Sequence, residues 1–282
     1  MLDNVTIVGV GLIGGSFALA MKDNGLARNI IGVSRTRASL DKALEIGFID
    51  EALELDEAVS KSDLVYVAIP VDATVPLISR LLDKIGDHQV IADAGSTKTA
   101  LCQAVAHHPM RKRLVTTHPM WGTEYSGPEA AVKNAFRERA CVICEKEKTD
   151  TQALHLMEDI YRQLGMHLIY MGAEEHDIHA AYVSHISHIT SFALANTVLE
   201  KEKEENAIFE LAAGGFESTV RLAKSNPAMW GPIFMQNREN VLDVLNEHIA
   251  QLKKFKACLE KENMEYLDEL MMNANKIRRI IR

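Results

Sequence analysis

A histidine and a serine that could handle a proton each follow a short apolar segment in the first half of the chain. His118 opens the segment HPMWGTEYSG directly after Leu114–Thr117, and Ser96 lies in DAGSTK after Val90–Ala92. An imidazole with an ordinary pKa of about 6.5 can accept a proton at neutral pH, so His118 is a candidate general base. Ser96 could hydrogen-bond that imidazole or a substrate, or it could cap the helix that follows.

A candidate anion-binding residue lies in the second half, within the segment GGFESTVRLAKSNPAMW. Arg221 follows the glycine pair Gly214–Gly215 in an otherwise apolar context. A buried arginine requires an anionic partner, which is either a carboxylate of the protein or a carboxylate of the substrate. The residue types alone leave both partners open.

Histidines are frequent in the segment that precedes Arg221. In SHISH, Ser184 and His188 are four residues apart and therefore share one face of a helix. Four histidines of this region could serve as metal ligands, namely His176, His179, His185 and His188. Because there is no HExxH pattern, and because the CxxC at Cys141–Cys144 has no second cysteine pair, we expect no metal site.

These side chains need elements that position them, and the first is a glycine-rich turn near the amino terminus. Gly9, Gly11 and Gly14 form GxGxxG between an apolar strand-like segment and a helical pattern. In that context Gly9 permits a tight turn, Gly11 lets the backbone approach a pyrophosphate, and Gly14 lets the helix pack against the strand. The pattern predicts a dinucleotide at the helix N-terminus, where Leu12 and Ile13 also belong to the cofactor site.

The residues after the second predicted strand favour NADP over NAD. NAD-binding proteins usually place Asp or Glu there, about 20 residues after the glycines, against the ribose 2′-hydroxyl. This chain has Ser34, Arg35 and, two residues later, Arg37. No carboxylate opposes a 2′-phosphate, and two guanidinium groups could bind one. Alternatively, Arg35 stacks on the adenine and serves either cofactor.

Strands and helices alternate over the first part of the chain. Short segments rich in valine and isoleucine predict strands at Val5–Val10, Ile30–Val33, Leu64–Ile69, Val90–Ala92, Leu114–Thr117, Ala140–Cys144 and His167–Tyr170. Helical patterns between them predict βαβ units and a parallel sheet. After about Gly172 the strand signals stop, and one long helix is predicted over Pro227–Glu260. We therefore expect an α/β fold, in which a Rossmann-type doubly wound parallel sheet over residues 1–170 binds the dinucleotide and is followed by an all-α C-terminal domain over residues 171–282.

The composition is that of a soluble globular protein. Hydrophobic residues make up 47% and charged residues 25% of the 282 residues, and the formal net charge is −8. A mildly acidic chain is poorly suited to bind nucleic acid or an anionic membrane surface. The uncharged stretch Ile178–Leu199 contains histidines and hydroxyl groups, which make it too polar for a lipid-facing helix. With four cysteines and no targeting segment, the sequence predicts a cytoplasmic protein.

Four sequence blocks, taken together in this order, resemble the prephenate/arogenate dehydrogenase family. They are GVGLIGGS at Gly9–Ser16, DAGSTK at Asp93–Lys98, HPMWGTEYSG at His118–Gly127, and SHISH with GGFESTVRLAKSNPAMW at Ser184–His188 and Gly214–Trp230. The resemblance extends over nearly the whole chain. It implies the oxidative decarboxylation of a cyclohexadienol on the route to tyrosine, in which hydride leaves ring C4 for the nicotinamide, the C4 hydroxyl loses its proton, and CO₂ departs.

The resemblance also implies roles for individual residues. His118 polarises or deprotonates the C4 hydroxyl, Ser96 orients that hydroxyl, and Arg221 binds the ring carboxylate. The positions that line or support the family's substrate pocket match His188, Ser184, Glu124, Gly214 and Trp230. The family dimerises through its helical domain, and we expect a homodimer here.

Three other functions remain open on the sequence alone. Arogenate dehydrogenase applies the same chemistry to a substrate with an amino-bearing side chain. A β-hydroxyacid dehydrogenase shares the plan of a Rossmann domain and helices, but it needs a catalytic lysine on a central helix, and Ile178–Leu199 contains none. A non-catalytic dinucleotide sensor would need none of Ser96, His118 and Arg221. The sequence therefore favours an oxidoreductase of the prephenate/arogenate type that uses NADP or NAD and a small-molecule substrate.

Overall fold

One eight-stranded sheet organises the first part of the structure, a computed structural model that describes residues 1–203 and 208–279, apart from the side chain at position 209. Its strands are β1 (Leu2–Val8), β2 (Ala27–Val33), β3 (Glu51–Ala52), β4 (Leu64–Val67), β5 (Val90–Asp93), β6 (Leu114–Pro119), β7 (Ala140–Cys144) and β8 (His167–Met171). The strand order is β3-β2-β1-β4-β5-β6-β7-β8. The first six strands thus follow the doubly wound order of dinucleotide-binding folds.

Helices cover the sheet and continue beyond it. Those of the described residues are α1 (Leu12–Asp23), α2 (Arg37–Ile46), α3 (Leu55–Lys61), α4 (Val71–Leu82), α5 (Thr99–Ala104), α6 (Thr151–Gln163), α7 (Ala173–Ala180), α8 (Ile186–Glu202), α9 (Gly214–Val220), α10 (Pro227–Gln236), α11 (Arg238–Glu260) and α12 (Met264–Ala274). A π-helical turn, Ala181–His185, joins α7 to α8. Such turns are rare and often occur at functional sites.

Alternating side chains of β4 pack into two cores, one on each face of the sheet. Tyr66 stacks on Phe17 of α1 with ring centroids 3.8 Å apart, and Phe17 also lies edge-on to Tyr161 of α6. Val65 and Val67 join the second core, which α4 covers. Because successive side chains of a strand point to opposite faces, a sheet buried on both sides needs apolar residues at every position of its central strands.

The expected fold class is confirmed, but two local predictions are wrong and one short strand is missed. Strand β7 runs antiparallel to β6, whereas the other neighbouring strands pair in parallel. The sequence did not predict β3, because two residues are too few to form a periodic pattern. The single helix expected over Pro227–Glu260 is interrupted, since α10 ends at Gln236 and α11 begins at Arg238. Asn237 lies between them with φ −105° and ψ 28°, outside the helical range.

The packing divides the chain into two compact units, residues 1–237 and residues 238–282. The first unit holds the sheet and α1–α10, and the second holds α11 and α12. Every candidate site residue named above lies in the first unit. The boundary near residue 170, predicted where the strand signals stop, stays a prediction. In the described residues, no helix combines the length and the apolarity needed to cross a bilayer.

Candidate active site

The turn between β1 and α1 has the geometry that a pyrophosphate requires. Gly9 has φ +98°, a left-handed conformation that favours glycine, and a Cβ there would lie 2.9 Å from Cγ2 of Ile69. A Cβ on Gly14 would lie 2.8 Å from Cγ2 of Ile7, so only glycine lets α1 approach β1 this closely. By contrast, a Cβ built on Gly11 meets no heavy atom of the described residues within 4 Å. The space beside Gly11 therefore fits an approaching phosphate group.

The N-terminus of α1 is equipped to bind an anion. No side chain in the described part of the protein caps this helix at Gly11. The first N–H groups of a helix have no partner inside it, and here they belong to Leu12, Ile13 and Gly14. The helix dipole adds a favourable field for negative charge at the same place. The structure thus places Leu12 and Ile13 where a dinucleotide pyrophosphate would accept their N–H groups.

The two arginines after β2 are not equivalent. Ser34 is half-buried directly after the strand, and Arg35 is exposed and pairs with no carboxylate among the described residues. Arg37 lies in the first turn of α2 and donates through Nε to Asp41 at 2.8 Å. The guanidinium of Arg35 is therefore wholly available to a phosphate, whereas Arg37 has its Nε bonded to Asp41.

A buried ion pair fixes the end of β6. Lys98 and Asp93 are 0% exposed and contact each other directly. Lys98 Nζ also donates to the main-chain oxygen of Thr117 at 2.7 Å, and the Thr117 N–H donates to Asp93 Oδ1 at 3.1 Å. Additional hydrogen bonds of this kind are what a buried ion pair needs to offset its loss of hydration. Because Thr117 directly precedes His118, the pair holds the backbone that carries the imidazole.

His118 bonds a second histidine, which in turn bonds a carboxylate. His118 Nδ1 lies 2.8 Å from His176 Nε2, and His176 Nδ1 lies 2.8 Å from Asp177 Oδ1. The Asp177 carboxylate also accepts the main-chain N–H groups of Lys98 at 2.8 Å and Thr99 at 2.9 Å. Burial would raise the pKa of Asp177, but the hydrogen bonds from His176 and from these N–H groups outweigh burial and hold the pKa below its ordinary value. The carboxylate is therefore ionised at neutral pH.

The ionised carboxylate determines which nitrogen carries each proton. A carboxylate only accepts hydrogen bonds, so His176 donates its Nδ1–H to Asp177 and, while neutral, offers an unprotonated Nε2. His118 then donates its Nδ1–H to that nitrogen, which leaves the lone pair of His118 on its own Nε2. Burial above all, followed by the electrostatic influence of His176 and Lys98, holds the pKa of His118 well below its usual value. His118 is thus neutral at pH 7 and can accept a proton at Nε2.

His188 and Trp230 form a stacked aromatic pair. Their ring centroids are 3.4 Å apart, with 24° between the ring planes. His188 Nδ1 donates to the main-chain oxygen of Ser184 at 3.1 Å, across one helical turn. Burial, with a smaller contribution from the charge of Arg221, outweighs this hydrogen bond and lowers the pKa of His188. The pair therefore presents a neutral aromatic surface near the Arg221 guanidinium.

Arg221 is half-exposed and pairs with a carboxylate of the protein. Its Nη1 lies 2.7 Å from Glu124 Oε2, and the two side chains are 49% and 12% exposed. The expectation that Arg221 is buried is therefore wrong, and solvent weakens the pair. Ser191 holds the turn that carries Arg221, because its Oγ donates to the oxygen of Thr219 at 3.1 Å and accepts the N–H of Ala223 at 3.0 Å. A half-exposed pair of this kind can open and exchange Glu124 for a carboxylate of a ligand.

Two predicted site residues lie apart from these contacts. Ser96 is half-buried and makes no side-chain hydrogen bond within the described residues, and it does not cap α5, which begins at Thr99. Gly214 is exposed at the start of α9, where an added Cβ would meet no described heavy atom within 4 Å. The position of Gly214 leaves room for a ligand, and the roles of both residues stay predictions.

The sequence did not predict the partners of His118. On the sequence alone, His176 and His185 are candidates only as metal ligands, and Asp177 and Lys98 have no assigned role. The one available signal was an acidic residue beside a histidine at the start of a predicted central helix. What brings His176 to His118 is the fold, which closes a separation of 58 residues.

Two family descriptions match this chain. "Prephenate dehydrogenase, nucleotide-binding domain" matches residues 17–170, and "Prephenate dehydrogenase, dimerization domain" matches residues 172–273. The prephenate dehydrogenase of Bacillus subtilis (strain 168) is 33% identical over 270 residues, which are 95% of this chain and 73% of that protein. The chain belongs to the prephenate dehydrogenase family.

Further relatives agree with this assignment. The cyclohexadienyl dehydrogenase of Zymomonas mobilis is 28% identical over 98% of this chain and 94% of that protein. A crystal structure of Aquifex aeolicus prephenate dehydrogenase, in complex with hydroxyphenyl propionate and NAD⁺, superimposes with a TM-score of 0.91 at 32% identity and covers 100% of this chain and 99% of that one. This prephenate dehydrogenase family member is an oxidoreductase of tyrosine biosynthesis, and the resemblance inferred from its sequence blocks is confirmed.

Proposed function

We propose that this family member converts prephenate to 4-hydroxyphenylpyruvate and CO₂, with a nicotinamide dinucleotide as hydride acceptor. The observation that carries the proposal is the hydrogen-bonded series Asp177–His176–His118, which leaves a basic Nε2 on a neutral, buried imidazole. A non-catalytic dinucleotide sensor would have no use for such a base. The names of the relatives supply the substrate class.

His118 acts on the C4 hydroxyl of the substrate. Its Nε2 accepts the hydroxyl proton as the C4–H bond breaks and the C4–oxygen double bond forms. A bound nicotinamide ring supplies the acceptor for the hydride that leaves C4. The bond between C1 and its carboxylate then breaks, CO₂ departs, and the electron pair moves through the ring to the C4 oxygen, which takes up a proton to give the phenol. Because aromatisation drives the loss of CO₂, the protein mainly positions the substrate and provides one base.

Arg221 is the proposed partner of the ring carboxylate. Glu124, which it now contacts, would give way to or share the guanidinium with that carboxylate, and a half-exposed pair permits the exchange. His188 and Trp230 would then line the pocket beside the substrate, with Ser184 holding the His188 ring. Charge-assisted hydrogen bonds from arginine to carboxylate give both affinity and orientation.

Ser96 and Gly214 complete the proposed substrate site. Ser96 has an uncommitted hydroxyl on the loop between β5 and α5, close in sequence to Lys98, and it would orient the C4 hydroxyl. Gly214 would let the substrate approach the backbone at the start of α9, since a Cβ there has open space around it. Neither residue needs to be a base in this account.

For the cofactor, we propose a preference for NADP. Gly9, Gly11 and Gly14 suit either dinucleotide, because both carry the same pyrophosphate. Ser34 presents no carboxylate to repel a 2′-phosphate, and Arg35 has a guanidinium that no described carboxylate occupies. Arg37 could contribute through its Nη groups, while its Nε pairs with Asp41.

We also propose that residues 1–170 bind the dinucleotide and residues 171–282 bind substrate and form a homodimer. The match to a dimerization domain over residues 172–273 supports this division. Large apolar side chains are exposed on α11, α12 and the turn that follows, and such surfaces usually mark an interface; they are Leu242, Ile249, Leu252, Leu259, Met264, Tyr266, Met271, Met272 and Ile277. Light scattering on the purified protein should give twice the 31.3 kDa chain mass, and a monomer at micromolar concentration would contradict the proposal.

A substrate comparison tests the proposed function. The purified protein is offered prephenate or arogenate, each with NAD or NADP, and the formation of reduced cofactor is followed together with the organic product. We expect 4-hydroxyphenylpyruvate from prephenate, at a higher kcat/KM than tyrosine from arogenate. A strong preference for arogenate would reassign the substrate, and turnover of neither would reject the function.

A further inference from the structure

Asn237, which lies between α10 and α11, reaches two parts of the active site with one amide group. Asn237 is 4% exposed. Its Nδ2 donates to the main-chain oxygen of Asp177 at 2.7 Å and lies 3.2 Å from His185 Nδ1. The Asp177 carboxylate begins the hydrogen-bonded series Asp177–His176–His118. His185 follows Ser184 in the π-helical turn. The Asn237 side chain therefore contacts both the main chain of Asp177 and the ring of His185.

The chemistry of these contacts assigns the protons. A main-chain carbonyl oxygen only accepts, so the nitrogen of the Asn237 amide, and not its oxygen, must face Asp177. The same nitrogen has a second hydrogen, and the neighbouring acceptor is His185 Nδ1. A ring nitrogen that accepts a hydrogen bond carries no proton, so neutral His185 holds its proton on Nε2.

His185 is a neutral imidazole that can donate a hydrogen bond through Nε2. It is 0% exposed, and its Nε2 has no hydrogen-bond partner in the described part of the chain. Burial above all lowers the pKa of His185 to about 4, with His176 and His188 acting in the same direction and Asp177 against it. An unpartnered buried N–H is costly, typically by about 1–3 kcal/mol, so it is retained where a ligand can satisfy it.

We propose that Asn237 is a positioning residue that locks His185 in the Nε2–H tautomer, so that His185 donates a hydrogen bond to an oxygen of the bound substrate. The ring of His185 lies edge-on to Trp230, with centroids 6.1 Å apart, which places it beside the stacked pair of Trp230 and His188. The identity of the substrate rests on the proposed function, but the tautomer does not.

The tautomer is measured directly by NMR on protein labelled with ¹⁵N-histidine, without substrate or cofactor. Protonated and unprotonated imidazole nitrogens have well-separated ¹⁵N shifts, and the His185→Gln variant identifies the His185 signals by their loss. We expect a protonated Nε2 and an unprotonated Nδ1 at pH 7. A protonated Nδ1 in the wild type would overturn the proposal.

Substitution of Asn237 tests whether its amide sets the tautomer of His185. In Asn237→Asp, a carboxylate oxygen replaces the donating nitrogen, so His185 should become protonated at Nδ1. Asn237→Ala removes the donor without adding an acceptor and serves where the aspartate variant does not fold, and there a population protonated at Nδ1 should appear. Asn273→Asp is the matched control, because this exposed amide already accepts from Lys276 Nζ through its oxygen. An unchanged His185 tautomer in a folded Asn237 variant would overturn the proposal.

Steady-state kinetics distinguish a hydrogen bond donated by His185 from a role of its ring in packing alone. His185→Gln keeps an N–H donor at about the reach of Nε2, whereas His185→Met has a similar shape and no donor. We expect kcat/KM for prephenate to be roughly tenfold higher in the glutamine variant than in the methionine variant, with the dissociation constant of the dinucleotide equal in both. Equal kcat/KM in the two variants would reject the donor role. If the wild type fails to turn over prephenate, the proposed function fails, while the tautomer measurement still stands or falls by itself.

Discussion

At the scale of single residues, the basicity of His118 is set by its surroundings rather than by its own chemistry. Burial keeps the imidazole uncharged. Because Nδ1 bonds His176, the free lone pair of His118 is on Nε2. The proton it accepts during turnover leaves an imidazolium whose Nδ1–H points, through His176, at the ionised Asp177. Because burial and the neighbouring His176 and Lys98 disfavour the imidazolium, this base is neutral before the reaction and holds the accepted proton only weakly.

Arg221→Ala should weaken prephenate binding. A charge-assisted hydrogen bond contributes about 1.5–3 kcal/mol, so KM for prephenate should rise roughly ten- to a hundredfold. Steady-state kinetics with a parallel measurement of dinucleotide affinity checks this. Arg28→Ala, which removes another exposed arginine and its ion pair with Asp3, is the control. Loss of dinucleotide binding or of folding in Arg221→Ala would show that its structural pair with Glu124 is the real role.

The choice of cofactor should depend on Ser34 and Arg35. An aspartate at position 34 would accept a hydrogen bond from the 2′-hydroxyl of NAD and repel the 2′-phosphate of NADP, and specificity is a difference between two affinities. The double substitution Ser34→Asp with Arg35→Ala should therefore shift the ratio of kcat/KM values toward NAD, by roughly ten- to a hundredfold. Kinetics with both cofactors measures the ratio. A wild type that already prefers NAD strongly would contradict the NADP assignment and leave Arg35 as an adenine-stacking residue.

At the scale of elements, α10 links the candidate substrate site to the loop after β5. Gln236 Oε1 accepts the hydroxyl of Thr97 at 2.8 Å, and Gln236 Nε2 donates to the main-chain oxygen of Val71 at 2.9 Å. Val71 also packs against Trp230 and Ile233 of the same helix. One helix therefore holds the start of α4 and the loop of Ser96 in a fixed relation to the aromatic pair.

Gln236→Leu should loosen this link. The substitution leaves the buried Thr97 hydroxyl and the Val71 oxygen without these partners, at a cost of about 1–3 kcal/mol for each unsatisfied group. We expect a lower Tm and a severalfold rise in KM for prephenate and for the dinucleotide. Gln103→Leu, at an exposed position on α5, is the control. Kinetic constants equal to those of the wild type would show that α10 does not position the loop.

Much of the architecture could be predicted from the sequence, because it depends on local patterns. The GxGxxG turn and the apolar segments at β1, β4 and β7 have periodicities and glycine positions that only a few structures satisfy. The interruption at Asn237 could not be predicted, since the pattern is helical on both sides of it and neither glycine nor proline marks the break. The orientation of β7 was also missed, because parallel and antiparallel strands can share the same apolar pattern.

The candidate site shows the same division between local and tertiary information. His118 was predicted because it follows the predicted strand Leu114–Thr117 of an open α/β sheet, where ligands bind at the carboxyl ends; in the structure it is the last residue but one of β6. His176 could not be assigned as its partner, because no pattern in one chain shows which of several histidines the fold will bring within 2.8 Å. Arg221 was found, but its exposure and its pair with Glu124 depend on the course of a loop.

At the scale of the whole molecule, the buried histidines couple folding to pH. His118 and His185 have pKa values below the ordinary 6.5 in the folded protein, and that of His185 is about 4. Between pH 4 and pH 6.5 these histidines bind more protons in the unfolded chain than in the folded one, so they make the free energy of unfolding rise with pH. These histidines therefore destabilise the protein as the pH falls from 6.5 toward 4.

The change in stability can be measured as the urea midpoint at several pH values. We expect the midpoint to fall between pH 6.5 and 4, and His185→Gln to reduce that slope because glutamine does not titrate. His88→Gln, a substitution at an exposed histidine, should leave the slope as it is. A slope equal in wild type and His185→Gln would contradict the burial of a neutral imidazole at position 185.

If His118 is the base for the C4 hydroxyl of prephenate, its loss must slow the chemical step, which is measured by single-turnover formation of 4-hydroxyphenylpyruvate with wild type and His118→Asn. Asparagine keeps a polar side chain of similar reach but cannot accept the proton. With dinucleotide affinity measured on the same samples, we expect a rate lower by roughly 10²–10⁴-fold and unchanged cofactor binding. A variant that forms product within threefold of the wild-type rate would contradict the assignment of His118 as the base.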